Sequence, residues 1–195
     1  MNKPLTIIIL ALTFIFTAKS GDAQDRQLFD GGMMAHTGYM HCTFDEIGYE
    51  AKGMCFGLGG VLRFHIGNHF RIGGEGYVST LRQMKNGSYI RTGCGGVTAD
   101  AYWRFGRWIP YFGVTAGGGK TSALLMFDGS TDDWETEAEV VMHNSPFFFV
   151  TPNVGVEFLL TESVHLTMKV DRLFNVSKAE MPTGVRVYLG FVFAH

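Results

Sequence analysis

The chain has 195 residues, of which 46% are hydrophobic and 17% charged, with 26 glycines, 17 phenylalanines and 5 prolines. Abundant glycine without an every-third-residue period excludes collagen, and so large an apolar and aromatic share excludes a disordered chain. A formal net charge of -2 argues against electrostatic binding of nucleic acid.

Residues 1–23 read as a secretory signal peptide. Lys3 supplies the positive start, residues 5–16 are apolar apart from threonines, and Gly21-Asp22-Ala23 offers the small residues a signal peptidase reads. The apolar run is shorter than the roughly 20 residues a membrane-spanning helix needs. The remaining domain, residues 24–195, is read as exported.

Beyond residue 24 no window carries a 3.6-residue apolar period; alternation recurs instead. Residues 29–42 form a first, irregular run, followed by a loop at 43–53. Then Phe56, Leu58, Gly60, Leu62, Phe64 and Ile66 alternate with polar residues such as Arg63 and His65. After Gly67-Asn68-His69, the set Phe70, Ile72, Gly74, Gly76, Val78 opposes Arg71, Glu75, Tyr77 and Ser79. A loop at 82–88 leads to Val97, Ala99, Ala101, Trp103, Phe105, set against Thr98, Asp100, Tyr102 and Arg104. A tight turn at 106–109, an irregular strand at 109–119 and a long loop at 120–146 come next. Val154, Val156, Phe158, Leu160 precede the turn Thr161-Glu162-Ser163, and Val164, Leu166, Met168, Val170 follow it. The last set, after a loop at 176–183, is Val185, Val187, Leu189, Phe191 and Phe193.

This pattern predicts an all-β fold: an eight-stranded antiparallel up-and-down barrel with three short turns and four longer loops. Residues paired across a turn must share a face. Ile66 with Phe70 and Leu160 with Val164 satisfy this around three-residue turns, and Phe105 with Pro110 satisfies it around a four-residue one.

The second face carries Arg63, Arg71, Glu75, Asp100, Arg104, Glu157, Lys169, Asp171 and Arg186. If the apolar face pointed inward, as in a soluble exported barrel, seven large aromatics would compete for an interior that eight strands only just enclose. Turned outward, the apolar face meets lipid and the charges pair across the lumen as a plug rather than a pore. Trp103, Phe105, Trp108, Tyr111 and Phe112 cluster around one tight turn as an aromatic girdle at a membrane interface. Together these features predict a transmembrane barrel.

On this architecture the chain resembles the small eight-stranded outer-membrane barrels of Gram-negative bacteria, the OmpA/OmpX type, over essentially all of residues 24–195. The resemblance implies both termini and the three turns in the periplasm and the four long loops outside the cell. Such proteins usually end in an aromatic residue; here the last one, Phe193, stands two places before the end at His195.

Other motifs carry less. Gly117-Gly118-Gly119-Lys120-Thr121 lacks the glycine a phosphate loop needs at Val114. Cys42 and Cys55 flank the first loop in an oxidising compartment, so a hairpin-spanning disulfide and three buried thiols, with Cys94, both stay open. For lipid chemistry, His165 with Thr167 and His143 with Ser145 are the candidate sets. Around Trp134, Asp128, Asp132, Asp133, Glu135, Glu137 and Glu139 form an acidic stretch, a solvated face or a weak divalent-cation site. No catalytic residue, cofactor or metal site is assigned. The expected partners are outer-membrane lipid and lipopolysaccharide, with an envelope protein as a further candidate. The expected function is a non-catalytic membrane anchor that displays its loops. The alternatives are a lipid A acyl hydrolase or acyltransferase, and an accessory subunit of a larger envelope complex.

Overall fold

The computed structural model describes residues 27–44, 49–82, 89–128, 138–177 and 183–195. The segment read as a signal peptide lies outside them. Eight strands follow one another: β1 (Phe29–Phe44), β2 (Tyr49–Ile66), β3 (Phe70–Arg82), β4 (Tyr89–Tyr102), β5 (Trp108–Asp128), β6 (Ala138–Leu159), β7 (Val164–Asn175) and β8 (Thr183–Ala194). Each is antiparallel to its neighbours, and β8 pairs with β1 to close the barrel. Closure removes the open edges from the ring of eight strands, the condition for β structure in a bilayer, and only the projecting part of the β5–β6 hairpin extends beyond its neighbours.

The register sets the tilt. Following strand partners from Leu28, whose carbonyl accepts from the His65 amide, through Arg71, Asp100, Gly113, Asn153, Asp171 and Arg186 returns to Gly38, ten positions further along the chain. A stagger of that size in eight strands corresponds to strands inclined by about 40°. The shortest strands, β7 and β8, have 12 residues each, enough for the roughly 9–11 that cross a membrane at such a tilt.

The faces are inverted relative to a water-soluble protein. Phe56 and Leu58 are 64% and 62% exposed on the outside, whereas Glu157 and Arg186 are 0% and 1% exposed inside. Water would solvate the opposite arrangement; hydrocarbon solvates this one.

Two turns have the expected form: Ile66 pairs with Phe70, and the Leu160 and Thr161 amides donate to the Val164 carbonyl. The third is tighter than expected. Phe105 bridges Trp108 rather than Pro110, around a two-residue loop in which Gly106 has φ 61°. That left-handed conformation suits the twist of the flanking strands and favours glycine. The slip is by two residues, so the alternation of inward and outward positions carries across the turn unchanged.

The opposite end departs more. β5 and β6 stay paired as far as Asp128 and Ala138, so most of the stretch expected as a loop at 120–146 is a long hairpin. Likewise Phe44 pairs with Tyr49, shrinking the first loop. Alternation fails there for a physical reason. The inner face at this end is also apolar, lined by Met40, Cys42, Ala51, Cys55, Leu81, Ile90 and Ala123.

Candidate functional site

At the turn-side end the lumen is filled by charge. Arg63 on β2 donates from Nε to Asp30 Oδ1 (2.7 Å), from Nη2 to Glu157 Oε1 (2.7 Å) and from Nη1 to Asp100 Oδ2 (3.3 Å). Arg71 on β3 donates from Nε to Asp100 Oδ1 (2.6 Å), and from Nη1 to Glu157 Oε1 (2.9 Å) and Asp30 Oδ2 (3.3 Å). Two guanidiniums therefore share the same three carboxylates, supplied by β1, β4 and β6. His65 meets Asp30 Oδ2 at 2.8 Å and His165 meets Glu157 Oε2 at 3.3 Å. The rings of Tyr102 and Tyr111 flank Arg71, with its guanidinium carbon 4.7 and 5.1 Å from their centroids. Charges this deeply buried persist only when they are paired and hydrogen-bonded.

One layer up, Lys169 pairs with Glu75, which also accepts from the Thr115 hydroxyl at 3.1 Å. A cavity of about 10 Å³ lies beside them, lined by Arg63, Asp100 and Tyr111 among others; it has room for a single water molecule. Higher still, Arg186 makes a bidentate pair with Asp171 (2.9 and 2.8 Å) and stacks 3.9 Å from the Tyr77 ring centroid. His36, hydrogen-bonded to Ser79 at 2.7 Å, and Tyr188 complete this tier. Above it the interior is mainly apolar: Tyr77, Cys94, Phe147, Phe149 and Leu173 form one cluster and the Met40–Cys42 group the other, with the buried hydroxyls of Thr92 and Thr121 bonded to each other at 3.3 Å.

Eight of the nine residues expected in the lumen are buried there; Arg104 is not. β4 ends at Tyr102, so Arg104 falls beyond the sheet, part-exposed in the turn and without an ion pair among the described residues. In the expected girdle, Trp103 stacks on Phe112 (5.5 Å), while Phe105 and Trp108 are exposed on the same outer side. Tyr111 is the correction. It is 4% exposed and faces inward, because it stands one residue from outward-facing Phe112. It belongs with Arg63 and Arg71.

Of the two readings open for the cysteines, the hairpin-spanning disulfide fails and the buried thiols stand: Cys42, Cys55 and Cys94 are free and buried. Cys42 lies opposite Ala51 and Cys55 opposite Gly38, which offsets the first two by four residues. At about 3.3 Å per residue that offset exceeds the span of a disulfide. His165 and Thr167 both point into the lumen, His165 to Glu157 and Thr167 to Tyr111, away from any lipid substrate. Ser145 is buried, and the His143 side chain lies outside the described residues, as do Asp132, Asp133, Trp134, Glu135 and Glu137. Among the described residues no three His, Cys, Asp or Glu side chains gather as a metal site.

Sequence reasoning missed Asp30, the partner of both arginines. It stands next to Gly31-Gly32 and Met33-Met34, where alternation is unreadable. Nor does the sequence show the partner of Glu75, which is Lys169 from β7 on the far wall.

No family model matches the sequence, and no curated protein matches it. Solved structures do. Neisserial surface protein A (NspA) superposes with a TM-score of 0.55 at 14% identity, over 86% of this chain and 97% of that one. Ail, the attachment invasion locus protein of Yersinia pestis, gives 0.53 at 14% identity, over 87% and 100%. Ail in complex with the heparin analogue sucrose octasulfate gives 0.52 at 14% identity, over 86% and 99%. The chain has the fold of the small eight-stranded outer-membrane β-barrels.

Proposed function

We propose that this protein is a sealed barrel of the Gram-negative outer membrane, delivered by its signal peptide, that works through its outer surfaces and displayed hairpins. The observation that carries this reading is the double closure of the lumen. A charge cluster fills the turn-side end and an apolar cluster fills the other. A polar solute would have to break the first and dehydrate to pass the second. The turns face the periplasm, with Trp103, Phe105, Trp108 and Phe112 at that interface, and the long hairpins face outward from the cell. The 21- and 22-residue strands of the β5–β6 hairpin present the largest surface to envelope or extracellular partners. Sulfated glycans, of the kind represented by the analogue bound to Ail, are a first class to test there.

Fractionation and planar-bilayer recording test the reading together. The protein should sediment with outer membranes, migrate faster on a denaturing gel before boiling than after, and show no unitary conductance. A soluble periplasmic protein without heat-modifiable mobility, or steady single-channel steps, would refute it.

A further inference from the structure

On the outer wall, Arg91 on β4 and Lys120 on β5 are both exposed. Arg91 lies opposite Ser122, and Lys120 opposite Gly93. They are therefore diagonal neighbours on one face, with about 7–8 Å between them. Neither has an ion-pair partner among the described residues. Lys52, at the same end of the barrel, differs: it pairs with Glu50 at 2.7 Å.

Towards the turns, the outward positions of these two strands become apolar or bare. β4 presents Gly93, Gly95 and Val97; β5 presents Gly118, Ala116 and Val114. The change from cation to apolar surface marks where headgroups give way to acyl chains. The glycines at this boundary are not demanded by barrel closure. A Cβ at Gly93 would meet nothing within 4 Å, and at Gly95 and Gly118 the nearest atoms would be 3.8 and 3.6 Å away. On the inner face of the same strands, a Cβ at Gly96 or Gly117 would come within 2.3 or 2.2 Å of backbone oxygens. The outer glycines thus leave a trough beneath the two cations. Val78, opposite Gly93, and Phe148, opposite Gly118, wall it, three strand spacings or about 14 Å apart.

We infer that this trough is a docking site for a phosphorylated, multiply acylated lipid of the lipopolysaccharide class. Arg91 and Lys120 clasp one phosphate, and acyl chains lie over Gly93, Gly95 and Gly118. The inference rests on the outer-membrane reading above. Charge complementarity selects the occupant: one lipid supplies both the anion and the hydrocarbon directly below it. A second copy docked symmetrically would bring this cation pair towards its own image.

Barrel reconstituted in phosphatidylcholine vesicles containing either lipid A or phosphatidylglycerol, then extracted in mild detergent, gives the test by native mass spectrometry. Wild type should retain lipid A about tenfold more than phosphatidylglycerol, and Arg91→Gln/Lys120→Gln should lose about tenfold of that retention. Gly95→Leu/Gly118→Leu, which fills the trough, should lose it too while keeping heat-modifiable mobility. Equal retention by wild type and either variant, or of both anionic lipids by wild type, would overturn the site. Insertion without lipid A retention overturns this inference alone; failure to insert overturns the membrane reading with it.

Discussion

Arg63 and Glu157 stand 94 residues apart in sequence, on β2 and β6, yet their side chains meet across the lumen at 2.7 Å. Glu157 also binds Arg71 through the same oxygen, so removing it strips a shared anion from two buried cations. Glu157→Ala is expected to destabilise the barrel by about 3–5 kcal/mol, the usual penalty for stranding a buried charge. Arg63→Ala/Glu157→Ala should lose less than the sum of the single changes, because it leaves fewer unpaired groups. Urea unfolding in lipid vesicles measures both; strict additivity would show that the two side chains do not act as a pair.

Neighbouring glycines should respond in opposite ways. At Gly117 a new Cβ would lie 2.2 Å from the Gly95 carbonyl oxygen and 2.4 Å from the Gly96 Cα. Backbone cannot yield as a side chain can, so Gly117→Ala should cost about 1–3 kcal/mol or more. Gly95→Ala, outside, should change stability by no more than about 0.5 kcal/mol. Matched unfolding midpoints decide it: equal losses at the two sites would contradict the inward and outward assignment.

What could be read from the sequence follows from which solvents the two faces meet. Where Phe64 faces lipid and Arg63 faces the charged lumen, alternation is clear and gives strand, face and turn together. Towards the hairpin side the lumen becomes apolar, and Phe147-Phe148-Phe149 on β6 no longer announces a strand although Phe147 and Phe149 are buried and Phe148 is 69% exposed. Length therefore went to loops that are in fact hairpin. Tyr111 shows a second limit: nearness in sequence to Trp108 and Phe112 suggested a shared interface, while parity alone placed it inside. The partners of Arg63 could not be read at all, since they come from three other strands and depend on stagger.

Lipid as the outer solvent makes a depth-dependent expectation. Leu58 lies midway along the outward face of β2 and is 62% exposed. Leu58→Arg should therefore cost about 2–4 kcal/mol of folding free energy in vesicles, whereas Met54→Arg, nearer the hairpin rim, should cost about 0–1. A soluble barrel would tolerate arginine equally at both exposed positions, so equal and negligible effects would remove the case for a bilayer.

The three thiols give the last expectation. Cys42, Cys55 and Cys94 are buried in the apolar half of the lumen, and the register keeps Cys42 and Cys55 four residues out of step. Burial also pulls the reactive thiolate out of reach of a polar reagent. The native barrel should therefore leave all three unmodified by a charged maleimide. After unfolding without reductant, all three should react, adding three labels by mass. A mass lower by two labels, with peptides containing Cys42 and Cys55 joined, would mean that the hairpin forms in another register before the barrel closes.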